Sequence, residues 1–363
     1  MERQYYLPHS AIEFHFRQSP RDFVVDEIPL YPFSGEGEHL VLHVRKKNLS
    51  TWQMVDVFSN RLGIKGRDIG YAGLKDKNAQ TKQYISVPRK YEPLLENFEH
   101  EGIKILSKTY HNNKIRVGHL KGNRFFIRLK KVTPVAAAKI GEALKMIKLY
   151  GMPNYFGFQR FGLDGENYKK GKAILEGSLK ERNKKLAQFY VNAYQSYLFN
   201  GWLSRRIEIS KLVEGFGVDE LPSILSLPKE ECAAMKAQKH PFKLIRGDVM
   251  MHYPYGRIFH YVDDAEPERF NARDISVSGL LSGKRATRAE SFAGDIEKEY
   301  DRIESGIDGA RRYGWIFPEE IEGEYKEQEA WYELHFTLPK GCYATVLIEE
   351  IAKRTIQTDE YQE

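Results

Sequence analysis

Gly70-Tyr71-Ala72-Gly73-Leu74-Lys75-Asp76-Lys77-Asn78-Ala79-Gln80-Thr81-Lys82-Gln83 is the densest run of unusual local chemistry in this 363-residue chain. Two glycines lead into a carboxylate held between two lysines, and Asn78, Gln80 and Thr81 follow within reach of a polar ligand. Cations beside a carboxyl group favour its ionised form, which a carboxylate nucleophile or base requires. The same residues also describe an exposed loop with a solvated charge run, and composition leaves both readings open.

Upstream of this run, Asp22 to Glu27 reads as a short strand, Ser34 to Glu38 as a turn, and His39 to Lys46 as a second strand with period-two alternation. The pattern predicts a β-hairpin. Ser50 or Thr51 then caps a helix whose apolar face is Trp52, Val55, Phe58 and Leu62, ended by Gly63 and Gly66. Downstream, Lys114 to Val117 and Arg124 to Lys130 alternate charged with apolar residues, which predicts a pair of strands with a wet, positive outer face. Thr133-Pro134 starts a helix with a buried stripe of Ile140, Leu144 and Ile147 that stops near Gly151. Leu186 to Ile207 reads as helix, and Tyr332 to Leu338 and Tyr343 to Ile348 as the last strands. The fold class expected is α+β.

Hydrophobic residues make up 41% of the chain and charged residues 29%, so a compact core is expected and a disordered or low-complexity chain is not. No apolar run approaches the ~18 residues of a membrane span. Met1 to Phe16 carries Glu, Arg, His and Pro instead of an apolar signal core, which disfavours secretion. The two cysteines, Cys232 and Cys342, form neither a CxxC pair nor a Cys/His cluster, so no metal site is expected. A cytoplasmic protein fits these features. Net charge is only +6, but residues 104–131 hold nine Lys or Arg and no Asp or Glu, whereas 318–329 hold six Glu against one Lys. The chain reads as electrically polarised.

Two further segments hold candidate chemistry. Asn154-Tyr155-Phe156-Gly157-Phe158-Gln159-Arg160-Phe161-Gly162 interleaves rings with Asn, Gln and Arg, a composition suited either to stacking on bases or to a core beside a turn. Leu338 to Thr345 reads as a turn entering a strand with Tyr343 at its edge.

With Tyr71 to Thr81, Asp22 to Glu27, Gly35 to His39 and Gly118 to Asn123, these segments resemble, in the same order, the TruD family of tRNA pseudouridine(13) synthases. The resemblance implies a pseudouridine synthase catalytic domain of α+β type with a second α+β domain inserted in it. The catalytic domain would be residues 1–179 and 318–363, the insertion 180–317. It implies an isomerase that breaks the N-glycosidic bond of uridine 13 of tRNA and rejoins the uracil ring to the same ribose through carbon, with no cofactor and no metal, and Asp76 matches the family's catalytic aspartate. A carboxylate can stabilise the electron-deficient C1′, add to it, or remove a proton. By the same resemblance Phe156 stacks near the base, Asn154 binds it, and Phe23 and Tyr343 complete the pocket. Arg17 stands where relatives carry Lys; its guanidinium keeps a charge role and excludes one needing a neutral amine.

The partner implied is tRNA, with no membrane and no protein partner. Lys114, Arg116, Lys121, Arg124 and Arg128 are the expected contacts to the RNA backbone. Rival readings are a tRNA-binding folding chaperone without catalysis and a metal-dependent nuclease using Asp76 with Asp22 or Glu27.

Overall fold

The computed structural model describes residues 3–162, 164–254, 256–303 and 306–356. In chain order its elements begin β1 (Phe23–Pro29), β2 (His39–Lys47), α1 (Thr51–Leu62), β3 (Gly70–Tyr71), β4 (Gln80–Pro88), β5 (Ile103–His111), β6 (Leu120–Leu129) and α2 (Pro134–Tyr150). They continue with β7 (Met152–Pro153), α3 (Asn167–Leu175), α4 (Lys184–Gly215), α5 (Leu221–Leu225), α6 (Lys229–Ala237), β8 (Val249–His252), β9 (Ile258–His260) and α7 (Glu266–Asn271). The last are β10 (Ile275–Leu281), α8 (Ser291–Lys298), β11 (Ala310–Tyr313), β12 (Trp315–Ile316), β13 (Glu319–Lys326), β14 (Trp331–Pro339) and α9 (Ala344–Ala352). The class is mixed α+β. Packing divides the chain into two compact units, one of Ile12–Leu144 with Pro318–Gly341, the other of Lys145–Phe317 with residues up to Ala11 and Cys342–Arg354. The segment 180–317 lies inside the second unit.

The first unit is built on an eight-stranded sheet in the order β13-β14-β6-β1-β4-β2-β5, with β3 added on β4. The expected hairpin is absent: β4 lies between β1 and β2, parallel to β1 with Val24 opposite Gln80 and antiparallel to β2 with Val41 opposite Ser86. Alternation identifies a strand but not its neighbour, and a parallel pair needs a long crossover, which β2 and α1 supply here. On α1 the Ser50 hydroxyl accepts the Gln53 N–H at 3.1 Å while the Gln53 side chain accepts the Ser50 N–H at 2.8 Å, and Gly63 closes the helix at φ +64. Of the expected face Val55, Phe58 and Leu62 are buried, joined by Thr51 and Met54, whereas Trp52 is 55% exposed. Met54, Val55, Phe58 and Leu62 pack with Leu40, Leu42, Val44, Ile85 and Val87, each fully buried large side chain stabilising by roughly 1.5–3 kcal/mol.

Residues 104–131 do not form a strand pair. β5 is an edge strand, β6 lies between β14 and β1, and Lys114 to Val117 belongs to the loop joining them. Four alternating residues ahead of Gly118, whose φ is +94, are too short to decide between strand and loop. β6 itself alternates as expected, with Phe125, Ile127 and Leu129 buried and Arg124 on the other face. That face is charge-matched: Arg124 lies 3.0 Å from Glu320 of β13, and Arg128 lies 2.7 Å from Glu333 of β14 and 3.3 Å from Asp22. The acidic and basic runs, separate in sequence, thus meet in one sheet.

α2 begins in the first unit at Thr133, whose hydroxyl accepts the Ala136 N–H at 3.2 Å, and ends in the second at Gly151, where a Cβ would meet the Ile316 carbonyl oxygen at 2.4 Å. The 32-residue α4 packs against α3 and β10, the central strand with β8 of the sheet β11-β10-β8-β9. The run Tyr343 to Ile348 is not a strand but the start of α9, all nine residues of which are buried. A short, mostly apolar run has no period to separate the two states. No helix among the described residues is long and apolar enough to cross a membrane.

His240 is buried, with the Phe242 N–H donating to its Nδ1 at 3.0 Å and its Nε2 lying 2.8 Å from the Tyr150 carbonyl oxygen. Burial, above all, pushes it down to about 4, with Lys243 and Arg273 adding to the effect. Since the folded-state value lies below the unfolded one, the unfolded chain takes up the proton first. Stability from this group is complete above pH 6.5 and is lost as pH falls towards 4. Tm measured across pH 7 to 4.5 is expected to fall more steeply for the parent than for His240→Gln; identical slopes would remove this residue as the cause.

Candidate active site

The run 72–79 folds as a loop between β3 and β4 and is tied down from three elements of its own unit. From β1, Glu27 accepts the Lys75 ammonium on Oε2 and the Tyr84 N–H at 3.1 Å on Oε1. From α1, the Thr51 hydroxyl accepts the Lys75 N–H at 2.9 Å and donates to Gln83 Oε1 at 3.3 Å. From β2, the Lys46 ammonium donates to the carbonyl oxygens of Asp76 at 2.9 Å, Leu49 at 2.5 Å and Lys75 at 3.5 Å. Asp76 itself is exposed. The Lys75 ammonium, expected to serve Asp76, is bound to Glu27.

Lys46 escaped the sequence reading. It is fully buried, and this burial outweighs the attraction of Asp76, pushing its ammonium down to about 8, with Lys75 adding repulsion. A signal for it existed, because Lys46 continues the buried parity of Leu40, Leu42 and Val44 along β2. A lysine at an inward position of a strand has to find partners inside.

In the second unit, Asn154 is 3% exposed and leaves β7 with both ends of its amide engaged: Nδ2 donates to the Tyr313 carbonyl at 2.9 Å, and Oδ1 accepts Arg312 Nη2 at 2.9 Å. The same guanidinium lies 4.0 Å from the centroid of the Phe156 ring. Phe156 is half-buried, its N–H donating to Asn200 Oδ1 at 2.9 Å while Asn200 Nδ2 returns a bond to its carbonyl at 3.0 Å. Tyr343, at the N-cap position of α9, approaches Phe156 edge-on with centroids 6.1 Å apart. Gly157 permits this approach, since a Cβ there would lie 3.0 Å from the Tyr343 ring. Phe156 and Tyr343 thus form an aromatic wall beside an amide and a cation, able to stack on a planar ring and to hydrogen-bond its edge. Arg312 was not foreseen; nothing in its local sequence marks it. Burial lowers its affinity for its proton, opposed by the neighbouring Cys342 and Tyr343, while burial raises the Cys342 thiol to about 11.

The family model described as tRNA pseudouridine synthase D (TruD) matches residues 1–184 and 175–351. A tRNA pseudouridine synthase D of Sulfurimonas denitrificans is 61% identical over 98% of this chain and 100% of that one. The chain belongs to the tRNA pseudouridine synthase D family. A second relative of that name, from Nitratiruptor, is 58% identical over 98% of this chain and 99% of its own. A crystal structure of a TruD protein from Methanosarcina mazei shares the fold, with a TM-score of 0.69 over 96% of each chain at 20% identity.

The other residues expected to act in this TruD-family chain are placed as follows. Phe23 is 1% exposed and packs edge-on between Phe16 and Phe125, both at 6.1 Å, so it supports the sheet face as folded here. Arg17 is exposed between buried Phe16 and Gln18. Lys114 donates to the Arg67 carbonyl, and Arg116 and Lys121 are exposed. Asp22, proposed above as a metal partner, is bonded to Lys130 at 2.6 Å as well as to Arg128, and Glu27 has both oxygens engaged. Those carboxylates are held by cations and an amide.

Proposed function

We propose that this chain isomerises uridine 13 of tRNA to pseudouridine, with Asp76 as the catalytic group and no cofactor. The observation that carries the reading is the run Tyr71 to Thr81: the segment resembling the family's catalytic motif is a loop braced from β1, β2 and α1, with Asp76 exposed at its tip. Detaching a base leaves C1′ electron-deficient, and a carboxylate on a braced loop can meet that charge without the cost of reorganising. The uridine has to leave its stack first, costing a few kcal/mol, of which a stacking ring returns ~1–3 kcal/mol. Phe156 and Tyr343 are the rings proposed for this, Asn154 the reader of the base edge, Phe23 a support of the pocket, and Arg17 a charge that binds substrate.

The proposed organisation keeps residues 180–317 as an insertion in a catalytic domain, and the proposed setting is the cytoplasm. Lys114, Arg116 and Lys121 are the proposed phosphate contacts; Arg124 and Arg128 contribute less, because each guanidinium is already shared with carboxylates. Lys121→Ala is expected to weaken tRNA binding and reduce the slope of log affinity against log salt by about 1, and Arg124→Ala by less. Filter binding over a salt series measures this, and an unchanged slope for Lys121→Ala would take it out of the interface. The activity is tested by incubating the protein with an unmodified tRNA transcript and mapping alkali-resistant carbodiimide adducts. Tight binding with no adduct would leave a tRNA-binding protein without catalysis.

A further inference from the structure

We propose that Lys46 is a positioning residue for the reaction: its ammonium holds the main chain at Lys75 and Asp76 to the end of β2 and so fixes where the Asp76 carboxylate points. The inference rests on the reading of Asp76 as the catalytic group.

Three facts converge on it. Lys46 is 0% exposed, so its ammonium is out of water and its three N–H donors need acceptors within the fold. Its ammonium donates to three main-chain carbonyls, those of Leu49, Asp76 and Lys75, at 2.5, 2.9 and 3.5 Å. One of these belongs to the catalytic residue itself, so any shift of Lys46 moves the Asp76 backbone directly. Glu27 and Thr51 reach the loop at Lys75, one residue earlier. An apolar side chain would fill this buried site with less desolvation, so a lysine that only packed would be a poor choice; the bonds to the loop give its charge a use.

The charge state matters because an ammonium has three donors and a neutral amine two. The charged groups facing Lys46 are Asp76, which favours the ammonium, and Lys75, which opposes it, while its register partners Thr81 on β4 and Ile103 on β5 do not titrate in the working range. With burial the largest influence, the ammonium is pushed down to about 8. Below that all three carbonyls can be held, and above it the neutral amine can hold only two of them.

The test is single-turnover pseudouridine formation on an unmodified tRNA transcript by the parent chain, Lys46→Met, Lys46→Arg and Asp76→Asn, with tRNA Kd measured alongside. Lys46→Met is expected to lower the single-turnover rate about 100-fold, the scale of loss from misplacing a reacting group by an ångström, with Kd within about threefold of the parent. Lys46→Arg, which keeps a cation, is expected to recover part of that rate. In the parent the rate is expected to fall above pH 8, and in Lys46→Arg this alkaline fall is expected to vanish, because a guanidinium keeps its proton. A Lys46→Met rate within about threefold of the parent, with Asp76→Asn inactive, would overturn the positioning role while leaving the reading of Asp76 intact. An active Asp76→Asn would instead overturn that reading. Should Lys46→Met fail to fold, the parent's pH profile decides, and a flat rate from pH 7 to 9.5 counts against the clamp.

Discussion

Asp76→Asn is expected to lower pseudouridine formation by about 10⁴-fold or more, the scale seen when a single essential nucleophile is removed from an active site. The amide keeps the size of the side chain but cannot add to C1′ or take a proton. The loop itself should survive the change, since Lys46 binds the main-chain carbonyl of residue 76, Glu27 the Lys75 ammonium and Thr51 the Lys75 N–H, none of which involves the substituted atoms. Binding of tRNA is therefore expected within a few-fold of the parent. Rates from carbodiimide mapping and Kd from filter binding separate the two effects; a parallel loss of both would mean that the loop, and not only the carboxylate, had been disturbed.

Asp248→Ala is expected to cost about 3–5 kcal/mol of folding stability, the largest effect on stability foreseen. Arg206 on α4 is 0% exposed and Asp248 2%, and the guanidinium grips the carboxylate through both terminal nitrogens, Nη2 at 2.9 Å from Oδ2. Nη2 also donates to the Lys243 carbonyl at 3.0 Å, and Oδ2 accepts the Ile245 N–H at 2.8 Å. Removing the aspartate leaves a buried cation without its counter-charge and an amide without its acceptor. Arg206→Met with Asp248→Leu removes both charges and should recover part of the loss but not all, because the Lys243 carbonyl and Ile245 N–H stay orphaned. Urea midpoints read both effects, and a shift below about 1 kcal/mol for Asp248→Ala would show that water replaces the lost partner.

What the sequence revealed follows how local the deciding interactions are. The α1 cap was legible because Ser50 and Gln53 satisfy each other within one turn, and the α2 boundaries because Thr133, Pro134 and Gly151 act on their immediate backbone. Strand neighbours were not, since nothing within His39 to Lys46 says that β4 and not β1 lies beside it. The start of α9 read as a strand because burial of every residue erased its period. Among the candidate residues, Asp76, Asn154 and Phe156 could be named by resemblance, but their supports lie far along the chain: Lys46 thirty residues from Asp76, and Arg312 beyond α8 from Asn154. The charge runs misled for the same reason, as Glu320 and Glu333 reach Arg124 and Arg128 only once the sheet forms.

In the proposed reaction the carboxylate of residue 76 drives isomerisation of one uridine of tRNA. This is tested most directly by carbodiimide mapping of a single unmodified tRNA transcript after incubation with the parent chain and with Asp76→Asn. With the parent one new stop is expected, reporting an adduct at position 13, and with the variant none. That stop with both proteins, or none with the parent on a tRNA that it binds, would contradict this reading.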